Sequence, residues 1–312
     1  MRLVQFGKPG GNMSDDFSEI QTLLKKWNSL TIADNFIFTK VMQNERLCRH
    51  TLELLLGIKV KKLVYPSAES YFKDSFDSRG IRLDVYTSDD EHCYDIEMQT
   101  SCKSNLLLRS RYYSSCIDVD VLKTGIDFAR LKENVIIFLC LEDPFKKGLP
   151  LYTYMTTCRE DQSLPDDKTK KLFYNISCWQ ATGNKELRDF FKFIKTNVPQ
   201  NDFTQDLAQH VKKAIQNANI RRQYMTLQME MNLKYNEGKK LGLELGKRQG
   251  IELGKLQGME LGKLHGKQEG LNLGMAKARL DLAVIAVRDF NIPIESVAEK
   301  YGVSVEEIRK ML

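Results

Sequence analysis

Two acidic residues, Asp84 and Glu97, and the glutamine Gln99 stand in a stretch whose residue types could build a metal-ion or phosphate site. Residues 81 to 86 read Ile-Arg-Leu-Asp-Val-Tyr and residues 93 to 99 read Cys-Tyr-Asp-Ile-Glu-Met-Gln, with a polar break from Ser88 to Glu91 between them. Each half alternates apolar and polar residues, so each is expected to be a half-buried strand, and the break closes them into an antiparallel hairpin. Closed symmetrically about Asp90 and Glu91, the hairpin sets Asp84 opposite Glu97, with Cβ atoms roughly 5 Å apart. Arg82, Asp84, Tyr86, Asp95, Glu97 and Gln99 then share a polar face, while Leu83, Val85, Ile96 and Met98 point to the core. Facing carboxylates repel, and a sheet gains nothing from them. Two readings fit this spacing. One is a solvated face with Arg82 or a lysine as counter-ion; the other is a site where both carboxylates hold a hard cation such as Mg²⁺, completed by water and phosphate oxygens.

These residues also resemble a known family. The run Arg82-Leu83-Asp84-Val85-Tyr86 followed by Ile96-Glu97-Met98-Gln99 resembles the PD-(D/E)XK nuclease superfamily, in particular its recombination-promoting nuclease and transposase (Rpn) branch. The likeness continues through residues 31 to 38, Arg109-Ser110-Arg111-Tyr112-Tyr113, residues 138 to 145 and Arg222-Gln223-Tyr224-Met225, covering roughly residues 29 to 240. It implies an α/β fold with a restriction-endonuclease-like core, a mixed central sheet flanked by helices, and a helical C-terminal extension. It also implies a Mg²⁺-dependent endodeoxyribonuclease that hydrolyses phosphodiester bonds of DNA in recombination or transposition. On this resemblance Asp84 and Glu97 hold the metal and Gln99 completes the catalytic set by orienting water. Arg82 and Arg109 are expected on the phosphate, and Asp34 and Tyr112 are accessory positions. Asp34 reads equally well as a helix N-cap. The superfamily's lysine, two residues after the second carboxylate, is the neutral Gln99 here, so Gln99→Lys is expected to retain or raise activity. The alternative is a catalytically inactive nuclease fold that binds nucleic acid or oligomerises.

The elements that must position these residues follow from periodicity. Helices are expected from Phe17 to Trp27 and from Asn35 or Asn44 to Leu56, ended by Gly57. Residues 58 to 65 read as a strand stopped by Pro66. Asn105 is placed to cap a helix from Leu106 to Lys123, which sets Arg109, Tyr112, Tyr113 and Cys116 close to one side. Val135 to Leu141 is an unbroken apolar run, the mark of a central strand buried on both faces. Strands are expected at 151 to 155 and 172 to 176, then amphipathic helices from Asn184 and from Asp202 into the 230s, which either wrap the core or form a dimer seam.

From Gly238 to Gly274 glycine recurs at every fourth residue, a true internal repeat with lysine, leucine and glutamate between. Its glycines cost about 1 kcal/mol each relative to alanine in a helix, and its lysines exclude a membrane-spanning pair. A helical arm and a flexible spacer both remain open, the arm being favoured. Residues 275 to 312 read as a small helical hairpin whose last helix carries Glu306 and Glu307, which argues against reading a DNA groove. The chain is thus divided into a disordered leader (1–12), a nuclease-like domain (13–182), a helical region (183–236), the glycine arm (237–274) and the terminal hairpin (275–312). A net charge of +6 permits a polyanionic partner, and the seven scattered cysteines with no signal-like apolar segment fit a reduced, cytoplasmic protein without membrane contact. Homo-oligomerisation through the C-terminal helices is a further expectation.

Overall fold

The computed structural model describes residues 13–65, 71–72, 81–101, 105–122 and 124–312; the expected leader lies outside them. The chain forms two compact units, Met1–Gln228 and Met229–Leu312.

The first unit begins with α1 (Met13–Asn28), α2 (Asn35–Met42) and α3 (Glu45–Leu56). Both starts read for the helix ending at Leu56 are used, each by its own helix. The Asp34 carboxylate accepts the Phe36 N–H at the head of α2, and the Asn44 side chain accepts the Leu47 N–H at the head of α3, both at 3.3 Å. Gly57 closes α3 in the left-handed region, with φ +68°. The strand expected over residues 58 to 65 is reduced to one bridge, Val64 to Ser88. Its buried residues, Val60 and Leu63, are three apart, a spacing that a period-two strand cannot put on one face.

Strands β1 (Tyr71–Phe72) and β2 (Ile81–Arg82) form a small antiparallel pair. Five more strands make the central mixed sheet: β3 (Val85–Ser88), β4 (His92–Gln99), β5 (Glu133–Cys140), β6 (Leu151–Tyr154) and β7 (Thr169–Asn175), in the order β3-β4-β5-β7-β6. β4, β5 and β7 run parallel, while β3 and β6 are antiparallel edges. The hairpin register is the expected one, with Val85 opposite Ile96 and Tyr86 opposite Asp95.

Both faces of the sheet are covered. Tyr94, Ile96 and Met98 of β4 and Val135, Ile137 and Leu139 of β5 pack with α2, α3, α5 (Lys185–Thr196) and α6 (Asp202–Gln216). Helices α5 and α6 therefore wrap the sheet. On the other face Ile136, Phe138 and Cys140 meet Leu106, Tyr113 and Ile117 of α4 (Leu106–Val121). The Asn134 amide of β5 donates to Ser114 O and to Asp118 Oδ1, each at 2.9 Å, tying this helix to the sheet. Asn105 does not cap α4 with its side chain; it enters the helix with φ +79°. On the polar hairpin face Asp95 and Glu97 are consequently buried under α4, with Asp84, Tyr86 and Gln99 half-buried, and the solvated reading fails for them. Leu83 also departs from expectation, joining the α4-side cluster while Val85 joins the opposite one. The chain bends at Asp84, between β2 and β3, and this resets the alternation.

The helix read from Asp202 into the 230s breaks at Asn217, whose side-chain oxygen accepts the N–H groups of Asn219 and Ile220 and so starts a new helix. This helix, α7 (Ala218–Phe290), is 73 residues long and contains the whole glycine ladder, which answers the choice between arm and spacer with a continuous helix. A Cβ added at any ladder glycine would meet nothing within 4 Å. At the end of α7, α8 (Ile294–Tyr301) and α9 (Val305–Met311) form a small core of Ala283, Val284, Ala286, Val297, Ala298 and Ile308.

Candidate active site

Strand β4 carries Asp95, Glu97 and Gln99 on the side covered by α4, and the bend before β3 brings Asp84 against them. Where the ladder would continue past Val85 and Ile96, side chains take over from main chain. The Asp84 N–H donates to Glu97 Oε1 at 3.0 Å, and the Met98 N–H donates to Asp84 Oδ2 at 3.1 Å. Each carboxylate is thus fixed by a backbone donor of the opposing segment, which holds two like charges close in spite of their repulsion.

One turn into α4, Arg109 reaches across to the same place. Its Nη1 donates to Gln99 Oε1 at 2.8 Å and its Nη2 to Glu97 Oε2 at 3.3 Å. Nε and Nη2 also donate to the Tyr113 hydroxyl at 3.2 and 2.9 Å, and the guanidinium lies 5.3 and 5.5 Å from the rings of Tyr113 and Phe138. The Gln99 amide nitrogen is turned away, donating to Met98 O at 3.2 Å.

Among the described residues the site gathers more carboxyl groups than cations. Glu97 is 3% exposed, and burial together with the Asp84 carboxylate pushes its carboxyl up to about 8, against the pull of Arg109. Asp95 is fully buried, and neither of its carboxylate oxygens has a hydrogen-bond partner among the described residues. Burial first, then the charges of Glu97 and Asp84, raise it well above the usual carboxylate range. The Tyr113 hydroxyl is raised by burial and by Glu97. Among the described residues three carboxyl groups gather beside one guanidinium, a donor set that suits a cation. Among the described residues no group of three or more His, Cys, Asp or Glu is arranged to hold a metal. Asp84 and Glu97 are the residues that would hold such an ion, a pair that fits Mg²⁺, which takes one or two carboxylates and completes its shell with water and phosphate, better than a closed zinc site.

Of the positions read from the sequence, Asp84, Glu97, Gln99 and Arg109 come together. Tyr112 does not join them; it is 39% exposed, and Tyr113 faces the site instead. The i to i+4 spacing of Arg109 and Tyr113 was the signal for that partner. Asp34 caps α2, and the groups acting on it are the Phe36 N–H and Lys26, whereas those acting on Glu97 are Asp84 and Arg109. Arg82 pairs through its backbone with Tyr71, and its side chain lies outside the described residues.

The family model described as PD-(D/E)XK nuclease family transposase matches residues 36–245, a span that contains the sheet, α4 and every residue of the site. No curated protein and no solved structure matches the chain.

Proposed function

The chain belongs to the PD-(D/E)XK nuclease family of transposases, and from that premise we propose that it is a Mg²⁺-dependent endodeoxyribonuclease acting in DNA recombination or transposition. The observation that carries this reading is the Asp84 and Glu97 pair, Glu97 buried and Asp84 half-buried, each pinned by the other segment's backbone. A divalent cation bound there supplies Lewis-acid polarisation of a phosphodiester and a water more easily deprotonated for attack. Asp84 and Glu97 are its ligands. Arg109 offers a fixed cation for the phosphoryl oxygens as charge builds on them, and Tyr113 holds that guanidinium in place. Gln99 orients Arg109 through its amide oxygen, and orienting the attacking water is its further proposed role.

We assign the nuclease to residues 13–182, with the helical region 183–236 following it, and propose the cytoplasm on the scattered spacing of the seven cysteines. Among the described residues no helix is long and apolar enough to cross a membrane. A second copy of the chain is a further proposed partner, favoured by the exposed Leu245, Leu253 and Leu261 of α7, which lie beside the bare glycine positions. The test of the enzyme reading is nicking of supercoiled plasmid with Mg²⁺, repeated in EDTA and with Asp84→Asn.

A further inference from the structure

The superfamily pattern calls for a lysine where this chain has Gln99, and that place is not left without a positive charge. The Gln99 amide oxygen ends in a 2.8 Å hydrogen bond from the Arg109 guanidinium, whose second nitrogen touches Glu97. We infer that Arg109, delivered from α4, takes over the catalytic role of the missing lysine, and that Gln99 is the positioning residue that seats it. This rests on the nuclease reading and says which side chain neutralises the phosphate.

The surroundings of Arg109 fit such a role. Its side chain is 29% exposed, so one edge is open while the rest is enclosed. Five donor directions are available to a guanidinium, and Gln99, Glu97 and the Tyr113 hydroxyl fix the fork in orientation. Tyr113 and Phe138 line it with ring faces, which favour a cation and keep bulk water off it. In hydrolysis a water oxygen adds to phosphorus as its proton passes to solvent, one P–O ester bond breaks with its electron pair leaving on the alkoxide, and solvent protonates that alkoxide. The negative charge that spreads over the phosphoryl oxygens in between is what Arg109 meets.

A consequence reverses the expectation drawn from sequence. A lysine at position 99 is one bond longer than glutamine to its terminal polar atom, so its ammonium would be driven onto the guanidinium of Arg109, and an acceptor would become a like charge. Gln99→Lys alone is therefore harmful, whereas Gln99→Lys combined with Arg109→Gln moves the cation back to the strand and leaves a neutral acceptor on the helix.

The test is a cycle of full-length proteins: wild type, Arg109→Gln, Arg109→Lys, Gln99→Lys and the double variant. Cleavage with Mg²⁺ is separated into kcat and KM, and melting is followed in EDTA. Arg109→Gln should lose about 10²- to 10³-fold in kcat with little change in KM, as for removal of a charge-stabilising donor, and Arg109→Lys should recover part of it. Gln99→Lys should lower both activity and melting temperature, and the double variant should regain both, with cleavage within about tenfold of wild type. An active wild type with an equally active Arg109→Gln overturns this inference and leaves the nuclease reading standing. So does a double variant no better than the product of its two singles. A wild type inert with every divalent cation removes the nuclease reading, and this inference with it.

Discussion

Asp84 and Glu97 are joined through a main-chain group: the N–H of the first donates to Oε1 of the second at 3.0 Å, while Asp84 Oδ2 takes the next N–H along, that of Met98, at 3.1 Å. Substitution at Asp84 therefore has two effects of opposite sign. Alanine relieves repulsion but leaves the Met98 N–H without its acceptor, at about 1–3 kcal/mol for a buried donor. Asparagine keeps the acceptor and loses the charge. Thermal melting in EDTA should rank Asp84→Asn above Asp84→Ala; equal melting would show that the Met98 bond contributes nothing.

The pH dependence of stability follows from Glu97. In the folded protein its carboxyl is raised from 4.5 to about 8, so between these values the folded state binds more protons than the unfolded state. Stability must then fall as pH rises through that window, because the buried carboxylate ionises at a cost the unfolded chain does not bear. Glu97→Gln should flatten the fall, and Mg²⁺ should counteract it by binding the ionised form. Melting curves from pH 5 to pH 8, with EDTA and with Mg²⁺, check both. A stability that rises across the window in EDTA would mean that other groups dominate.

The attachment of α4 is a separate requirement, since it carries Arg109. Asn134→Ala removes the amide that bonds Ser114 O and Asp118 Oδ1 and should cost about 1–3 kcal/mol. Because the helix is loosened where it crosses the sheet, cleavage should fall as well, with the metal ligands untouched. Urea melts and plasmid nicking on this variant measure the two effects; a destabilised protein with undiminished nicking would separate α4 docking from the chemistry.

Deleting residues 238 to 274 should leave the first unit folded and able to bind metal while altering self-association. Replacing single ladder glycines such as Gly250 by alanine has room in the structure and should stabilise the helix by up to about 1 kcal/mol each. If a second copy approaches closely along the glycines, the same change weakens association. Circular dichroism and sedimentation on the glycine variants and the deletion give both answers; loss of cooperative melting on the deletion would make the ladder part of the core.

Much of this arrangement is legible in the residues themselves. The hairpin register, the two-faced burial of β5 and the capping of α2 by Asp34 follow from alternation, an apolar run and an N-cap residue. The cover over the polar face does not, because α4 shows little amphipathic pattern: its inward side mixes Arg109, Ser110, Tyr113 and Ser114 with Leu106 and Ile117. That mixture is what a helix needs to cover carboxylates, and although the helix itself is read from the sequence, the mixture hides which of its sides is buried from a reading that looks for apolar stripes. Leu83 was misplaced for a related reason. Strict alternation was carried through Asp84, where the backbone bends so that its N–H can meet Glu97. Asp95 read as one more polar-face residue, and its complete burial without a hydrogen-bond partner among the described residues is what marks it as part of the site.

The central claim is that Asp84 and Glu97 hold the ion that makes this chain cut DNA, and conversion of supercoiled plasmid to nicked or linear forms tests it most directly. Wild-type protein should convert the plasmid with Mg²⁺ and not in EDTA. Asp84→Asn and Glu97→Gln, melting as cooperatively as wild type, should each show no conversion above background. Nicking by either variant at the wild-type rate would contradict the account, since the activity would then owe nothing to the paired carboxylates.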